Sequence, residues 1–251
     1  VTASAEAAIW DGTEDTSWYY REHDVIVSEN GERIAIFNIR TAEELAGLAK
    51  LVRNGNSMKN TMINLVSDVT LNDTTNFDNW DEQPPANNWT AIGAVPIEAP
   101  NVNVVMTIQP ECRNTVFAGM FNGNGHTISG MYSLHHNYAG LFARTSGIIT
   151  NVIVKDSYIQ CINTQKVESG DTALWEACAG GITAICDRGV ISHCEFDGKI
   201  FASGLNQVGY GTHGSFAGGI VGKFSDDENG VAAVVMMFAL VPAGFLINPA
   251  L

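Results

Sequence analysis

Short apolar runs alternate with polar turns along most of this chain, and few segments show a helical period. Residues 25–27 and 34–37 are apolar runs, and residues 28–32 between them carry the sequence Ser-Glu-Asn-Gly-Glu. Asn-Gly between two apolar runs is typical of a tight turn between antiparallel strands. This pattern predicts a β-hairpin in about the first forty residues of the sequence.

A helix is predicted only at residues 41–52. Thr41 and Glu44 have the spacing of a capping box, in which the threonine accepts from the backbone and the glutamate reaches back. Asn54 and Gly55 then tolerate the left-handed backbone that ends many helices. One face of the helix is apolar, and it consists of Leu45, Leu48, Ala49 and Val52. We expect Leu45, Leu48 and Val52 to be buried and Glu43 and Lys50 to be exposed.

A short glycine-apolar phrase occurs three times in the second half of the chain, at residues 139–143, 180–184 and 218–222. Its equivalent glycines, Gly140, Gly181 and Gly219, are 41 and 38 residues apart. Periods of this size mark arrays of units that bury their apolar faces against their neighbours. The runs that follow the first two copies, residues 147–154 and 189–196, have strand composition. The sequence therefore predicts stacked β units, with Leu141, Ile182 and Ile220 at equivalent inward positions.

These phrases resemble the GLUG motif of bacterial surface proteins, and residues 117–130 are similar to the phrase that precedes the first repeat there. Residues 9–18 and the 41–52 helix resemble the amino-terminal cap of such proteins. The resemblance implies a right-handed parallel β-helix, mainly β in class, on the outside of a bacterium. It implies little about chemistry, because these repeats occur in adhesin-like proteins and beside protease domains.

Four regions follow from this interpretation. Residues 1–8 are a signal-peptide remnant or a frayed terminus, since Ala3-Ser4-Ala5 has the small-x-small pattern of a cleavage site. Residues 9–60 form the cap, with the helix closing the open end of the stack. Residues 61–230 form the β-helix, with early strands at 62–65 and 102–106. Residues 231–251 are a buried terminal cap or a membrane-proximal segment.

The apolar character of the last region leaves both alternatives open. Residues 231–247 carry no charge. The length of this uncharged segment is near the lower limit of ~17–25 residues for spanning a bilayer. No Lys or Arg follows to act as a stop signal. A membrane is therefore a partner only if this segment inserts.

The charge of the chain narrows the classes of partner. Asp and Glu number 27 against 13 Lys and Arg, a formal net charge of −14. Such a surface repels nucleic acid and anionic lipid. A glycan or another surface protein is the expected partner, and the expected location is extracellular or at the bacterial cell surface.

The five cysteines indicate no zinc site, because their spacing contains no C-x-x-C pair. Cys194 occupies a strand position where the GLUG family often has a cysteine, and we expect a small inward-facing side chain. A disulfide joining Cys194 to either Cys178 or Cys186 is a further interpretation.

The polar excursion at residues 72–88 is the candidate ligand site. Excursions longer than ~12–15 residues are uncommon unless they are used or disordered. Asp78 and Asp81 lie close to Trp80 and Trp89, and an exposed indole beside carboxylates can stack a sugar ring. Calcium is a candidate ligand of these carboxylates, although the Asp-x-Asp-x-Asp-Gly pattern is absent. The alternative is a solvated loop whose tryptophans pack back onto the β structure.

No recognised catalytic motif occurs: the sequence lacks His-Glu-x-x-His, Gly-x-Ser-x-Gly and a phosphate loop. The expected function is therefore a non-catalytic binding or adhesion module without a resident cofactor. A structural spacer in a larger surface protein is one alternative. A polysaccharide lyase or glycoside hydrolase is another, and it would draw on the acidic residues of the repeats, Asp156, Glu168, Asp171, Glu176, Asp187, Glu195 and Asp197.

Overall fold

The computed structural model describes residues 8–94, 116–163, 176–204, 214–225 and 235–236, and the statements below concern these residues. The fold is mainly β. Four features of the sequence lie outside the described residues: the signal-like start at 1–7, the expected strand at 102–106, Cys112, and the apolar segment 231–247 apart from residues 235 and 236.

The amino-terminal hairpin is present as expected. Strand β1 (Asp24–Val27) runs antiparallel to β2 (Arg33–Ile39). The turn closes where the Ser28 amide donates to the Glu32 carbonyl at 2.9 Å. All four residues of β1 are exposed, and Val27 is 64% exposed. β1 thus forms the outer edge of its sheet, while β2 joins the sheet interior.

Helix α1 (Ala42–Arg53) confirms the predicted helix, and the amide of Glu44 donates to the Thr41 hydroxyl at 3.2 Å. The other half of the expected capping box differs. The Glu44 carboxylate accepts from the amide of Arg40 at 2.7 Å and from the Arg21 guanidinium at 2.9 Å. Gly55 takes a left-handed φ of 96° just beyond the helix, as expected.

The helix is buried on more sides than its sequence predicts. Leu45, Leu48 and Val52 are fully buried, as expected. Glu43 and Lys50 are half-buried, so the expectation of full exposure is wrong. The reason is that residues 10–21 cross the outer side of the helix, where the Asp15 amide donates to the Glu43 carbonyl at 2.9 Å.

The remaining strands pair in parallel, and all but β11 and β15 are short. A 3₁₀ turn precedes β1 at Ser17–Tyr20 and another lies at Thr74–Asn79. In chain order, the strands after the helix are β3 (Thr61–Leu65), β4 (Val69–Thr70), β5 (Met120–Asn122), β6 (Thr127–Ser129), β7 (Tyr132–His135), β8 (Tyr138–Ala139), β9 (Phe142–Thr145), β10 (Ile148–Thr150), β11 (Ile153–Asn163), β12 (Ala177–Gly180), β13 (Thr183–Asp187), β14 (Val190–Ser192), β15 (Glu195–Gly204), β16 (Ser215–Gly218), β17 (Val221–Ser225) and β18 (Val235–Met236).

Four sheets arise from this pairing. The first has the order β1-β2-β3-β5-β10-β14-β18, and the second has the order β15-β11-β6-β4 with β7 also beside β11. The third is β16-β12-β8 and the fourth is β17-β13-β9. Three successive units, β5–β9, β10–β13 and β14–β17, therefore contribute strands to the sheets in the same order.

The register of the three units is the one that the glycine phrase predicts. The Phe142 amide donates to the Ile182 carbonyl at 2.8 Å, and the Ile182 amide donates to the Ile220 carbonyl at 3.0 Å. Leu141 and Ile182 are fully buried and Ile220 is 7% exposed. The expectation that Leu141, Ile182 and Ile220 occupy equivalent inward positions is confirmed. They share one apolar cluster with residues from all four sheets.

The phrase glycines allow successive units to approach each other closely. A Cβ atom added at Gly140 would lie 2.3 Å from the Gly180 carbonyl oxygen, and one at Gly181 would lie 2.0 Å from the Gly219 carbonyl oxygen. Both distances are far inside van der Waals contact. At Gly219, in the third unit, an added Cβ would meet no atom within 4 Å. The glycine is thus needed where another unit follows it in the described structure.

In the apolar carboxyl-terminal region, the described residues 235 and 236 form a strand that continues the stack. β18 pairs in parallel with β14, with Val235 opposite Ile191 and Met236 opposite Ser192. Among the described residues, no helix is long and apolar enough to cross a membrane.

We predict that Gly181→Ala and Gly219→Ala, which are the same change at equivalent positions, differ sharply in stability. Gly181→Ala should lower the free energy of unfolding by roughly 2–3 kcal/mol, because the methyl group would overlap a carbonyl of the next unit. Gly219→Ala should change it by less than about 0.5 kcal/mol. Urea denaturation followed by circular dichroism measures both. Equal effects would contradict the close approach of the units.

A second prediction concerns the helix core. Leu48→Asp should lower the free energy of unfolding by at least about 3 kcal/mol, because it removes a buried apolar side chain and leaves a charge unpaired. Glu43→Gln is the matched control, because Glu43 is half-buried and lies on another face of the helix. It should change the free energy of unfolding little. An unchanged urea midpoint for Leu48→Asp would show that the helix does not belong to the core.

Candidate functional site

The two tryptophans of the candidate ligand site are buried. Trp80 is 2% exposed and Trp89 is 1% exposed. The Trp80 ring meets the Tyr132 ring edge-on with centroids 6.1 Å apart. The Trp89 indole nitrogen donates to the Leu141 carbonyl at 3.3 Å, and its ring packs against Trp10. A sugar-stacking site would require Trp80 or Trp89 to present a ring face to solvent, and neither does; both pack back onto the β structure, which is the other interpretation of the sequence.

The excursion packs on an aromatic stripe along the outer face of the second sheet. Tyr132 and Tyr158 stand opposite each other in β7 and β11, and their rings stack with centroids 5.6 Å apart. Trp80 covers this stripe together with Phe77. Because tryptophan offers a large apolar surface, the free energy favours burying it on the stripe over leaving it in water.

Lys199 links the excursion to the third unit by a hydrogen bond. The Lys199 ammonium donates to the Asp78 carbonyl at 2.7 Å and lies 5.2 Å from the centroid of the Phe77 ring. Its distance to the Asp78 carboxylate is 3.8 Å, and that side chain is 92% exposed. This contact joins the excursion at residues 72–88 to the strand that begins at Glu195, and no local sequence pattern predicts it.

Asp78 and Asp81 are both exposed but meet no open tryptophan face. The pKa of the Tyr158 hydroxyl is raised to about 12, chiefly by burial and to a lesser extent by the charges of Tyr132 and Asp81. Phe201 of the third unit extends the same aromatic stripe and is 40% exposed, with its ring 5.4 Å from that of Tyr158. Phe201 is thus an exposed ring of this stripe, and the sequence did not indicate it.

An open groove of about 580 Å³ lies on the other side of the excursion. One wall is the segment 9–11, and the other wall comes from the excursion, through residues 72, 73, 75, 76, 80 and 83–87. The volume falls within the range of about 300–1,000 Å³ that is usual for small-molecule sites. Sequence reasoning missed this groove because its two walls are about sixty residues apart in the chain.

Two asparagines hold the groove walls together. Asn72, which is 2% exposed, accepts from the Asn87 amide at 2.9 Å and donates to the Asn87 carbonyl at 2.9 Å. The Asn87 side chain in turn donates to the Trp10 carbonyl at 2.7 Å. The Trp10 amide donates to the Thr70 carbonyl at 2.9 Å. The floor of the groove is therefore built from satisfied polar groups that join both walls to β4.

Two carboxylates line the groove and stay ionised. Hydrogen bonds from the side chain and the amide of Thr13 lower the pKa of Asp11 below its ordinary value. The Thr75 amide and hydroxyl lower the pKa of Asp73 in the same way. Because hydrogen bonds to the charged form favour ionisation, both side chains are anionic near neutral pH.

Three of the acidic residues in the described parts of the repeats form ion pairs between units, whereas Glu168 and Asp171 lie outside the described residues. Arg144 in β9 pairs with Asp187 in β13 at 2.5 Å, and Lys155 pairs with Glu195 at 3.6 Å. Lys223 in β17 pairs with Glu176, the residue before β12. Among the described residues, no group of three or more His, Cys, Asp or Glu side chains is placed to hold a metal ion.

The four described cysteines are free thiols, and all are buried. No disulfide joins Cys194 to Cys178 or Cys186 in the structure. Cys178 packs in an outer cluster with Ala184 and Ile185, whereas Cys194 and Cys186 belong to the central core. Burial raises the pKa of Cys178 to about 12 and that of Cys194 to about 11, so both thiols are protonated at neutral pH. Cys194 is an inward-facing small side chain, as expected.

Comparison with known proteins gives little further information. No protein-family model matches the sequence, and no curated protein matches it. One similar solved structure is a crystal structure of a "putative immunoglobulin A1 protease" from Bacteroides ovatus, at 13% identity and a TM-score of 0.33. The match covers 79% of this chain and 55% of that one, so this chain spans just over half of the other protein's length. A likeness at this TM-score supports no conclusion about function.

The burial of the tryptophans yields a prediction. Trp80→Ala and Trp89→Ala should each lower the free energy of unfolding by about 3–5 kcal/mol, as expected for a large aromatic side chain removed from a packed site. Asp81→Ala, an exposed neighbour in the excursion, is the control and should lower it by less than about 0.5 kcal/mol. Thermal and urea denaturation measure these changes. A tryptophan variant with unchanged stability would indicate that its ring serves a ligand and not the fold.

Proposed function

We propose that this chain is a right-handed parallel β-helix of the GLUG-like kind in a bacterial secreted or surface protein, and that it acts there as a structural spacer. The observation that carries the proposal is the shared register of the three units, in which β5, β10 and β14 pair in line while the other sheets repeat the same order. The buried tryptophans favour the spacer over an adhesion site on the excursion, because neither ring is available for stacking.

Stacked units of this kind suit a spacer for physical reasons. Each unit contacts its neighbours alone, so length is added without redesigning a closed core. Ion pairs such as Arg144 with Asp187 and the anchor from Lys199 to the excursion join one unit to another and resist bending between them. The hairpin and helix α1 cover the amino-terminal end of the stack. The net charge of −14 supports a location where the surface faces water.

Catalysis receives less support. A lyase or hydrolase on such a fold needs carboxylates, or a cation with a basic residue, free to act on one exposed face. In the described parts of the repeats, Glu176, Asp187 and Glu195 are each engaged by a lysine or arginine of another unit. Charge pairing of this kind serves the joint between units.

The spacer proposal predicts that one whole unit can be removed. Deletion of residues 148–189 joins Gly147 to Val190, so that β14 replaces β10 beside β5 and β15 replaces β11 beside β6. We expect a cooperatively folded protein whose long dimension is shorter by about 4.8 Å, the spacing of neighbouring strands. Circular dichroism, urea denaturation and small-angle X-ray scattering measure the fold and the length.

An out-of-register deletion provides the control. Removal of residues 148–178 places Ala179 where Ile148 lies and sets glycine-phrase residues against the wrong neighbours, and this variant should not fold. If the 148–189 deletion loses its cooperative transition as the control does, the units are not interchangeable and the spacer proposal is wrong.

A further inference from the structure

We propose that the groove between residues 9–11 and the excursion binds a neutral saccharide. Trp80 lines this groove but is buried, so the site does not use Trp80 or Trp89 as an exposed stacking surface, and it does not depend on the spacer role. The proposal stands on the cavity of about 580 Å³, on its mixed polar and apolar lining, and on the hydrogen bonds that fix its walls.

The polar lining is suited to hydroxyl groups, which donate and accept hydrogen bonds. Asp11 and Asp73 are ionised acceptors on opposite walls. Asn76 and Gln83 are exposed amides on the excursion side, joined to each other by a 3.4 Å hydrogen bond from the Asn76 side-chain nitrogen to the Gln83 oxygen. That bond uses the Gln83 oxygen, and the Gln83 side-chain nitrogen is a donor. Amides and carboxylates together offer both partners that a sugar hydroxyl needs.

The apolar lining supplies a surface for the C–H face of a sugar ring. Ile9 is 51% exposed on one wall, and Pro84 is exposed on the other. Proline presents a rigid apolar surface whose ordering costs no side-chain entropy. Pockets for small molecules combine such apolar surface with a few placed polar groups.

The charge of the lining excludes anionic ligands from the proposal. Two carboxylates line the groove and none of its lining residues is lysine, arginine or histidine. Phosphorylated or acidic glycans would meet unfavourable charge at Asp11 and Asp73, in a protein that is already strongly acidic. Neutral sugars incur no such penalty.

Preorganisation distinguishes this groove from an ordinary cleft beside a loop. The bonds from Asn72 to Asn87 and from Asn87 to Trp10 hold the two walls at a fixed separation before any ligand arrives. Asp73 is oriented by its 2.9 Å bond from the Thr75 amide. A site that is fixed in advance loses less conformational freedom on binding.

Isothermal titration and saturation-transfer NMR of the full chain test the proposal, with neutral hexasaccharides of β-glucose, β-xylose, β-mannose and N-acetylglucosamine as probes and oligogalacturonate as the anionic comparison. At least one neutral probe should bind. The double variant Asn76→Ala with Gln83→Ala should weaken that binding about tenfold or more, because it removes two hydrogen-bonding side chains. Both residues are exposed, so the melting temperature should remain near that of the parent.

Two controls separate the groove from other surfaces. Glu82→Ala changes an exposed residue of the same excursion outside the groove and should leave binding unchanged. Gly219→Ala changes a residue of the third unit that does not line the groove, and it should also leave binding unchanged. No binding of any neutral probe, binding of oligogalacturonate alone, or equal affinity in the parent and the double variant would overturn the proposal.

Discussion

The close approach of one unit's backbone to the next is the constraint on which the structure depends. Parallel strands must lie about 4.8 Å apart for their backbone hydrogen bonds to form. At the turn between the third and fourth sheets, the carbonyl of the following unit occupies the space where a side chain at Gly140 or Gly181 would begin. Glycine at these positions lets the ladders run continuously around the turn, and the stacking of Leu141, Ile182 and Ile220 follows from it.

Contacts between units extend beyond the ladders. The excursion at residues 72–88 precedes the first full unit in the chain. It covers Tyr132 of the first unit and Tyr158 of the second unit, and Lys199 of the third unit donates a hydrogen bond to it. Helix α1 is fixed in the same way, because the segment at residues 10–21 crosses its outer side and contacts Glu43 and Glu44. Covering elements thus bind several units together, and they carry both the buried tryptophans and the groove.

Local patterns in the sequence predicted the hairpin, the helix and the register of the units, because each depends on residues close together in the chain or on a repeated phase. The site could not be predicted in the same way. Burial of Trp80 depends on Tyr132 and Tyr158, whose outward side chains meet it only after the units stack. The groove depends on the contact between Trp10 and Asn87, which are far apart in the chain. The Glu44 carboxylate accepts from Arg40 and Arg21, and not from the Thr41 amide that a capping box predicts. The cysteines are a further example, because Cys178 lies in an outer cluster and Cys194 in the central core, and no local pattern in the sequence indicated this.

The hairpin places an antiparallel strand at the outer edge of the first sheet. Every other described strand pair is parallel, but β1 runs against β2, so the outermost edge has the opposite polarity to a parallel unit that might dock there. Asp24 lies on this edge, and the neighbouring Glu22, Glu29 and Glu32 are exposed. Open strand edges promote association between copies unless charge or geometry opposes it. In the described structure, this outer edge therefore has both charge and strand polarity opposed to the docking of a parallel strand.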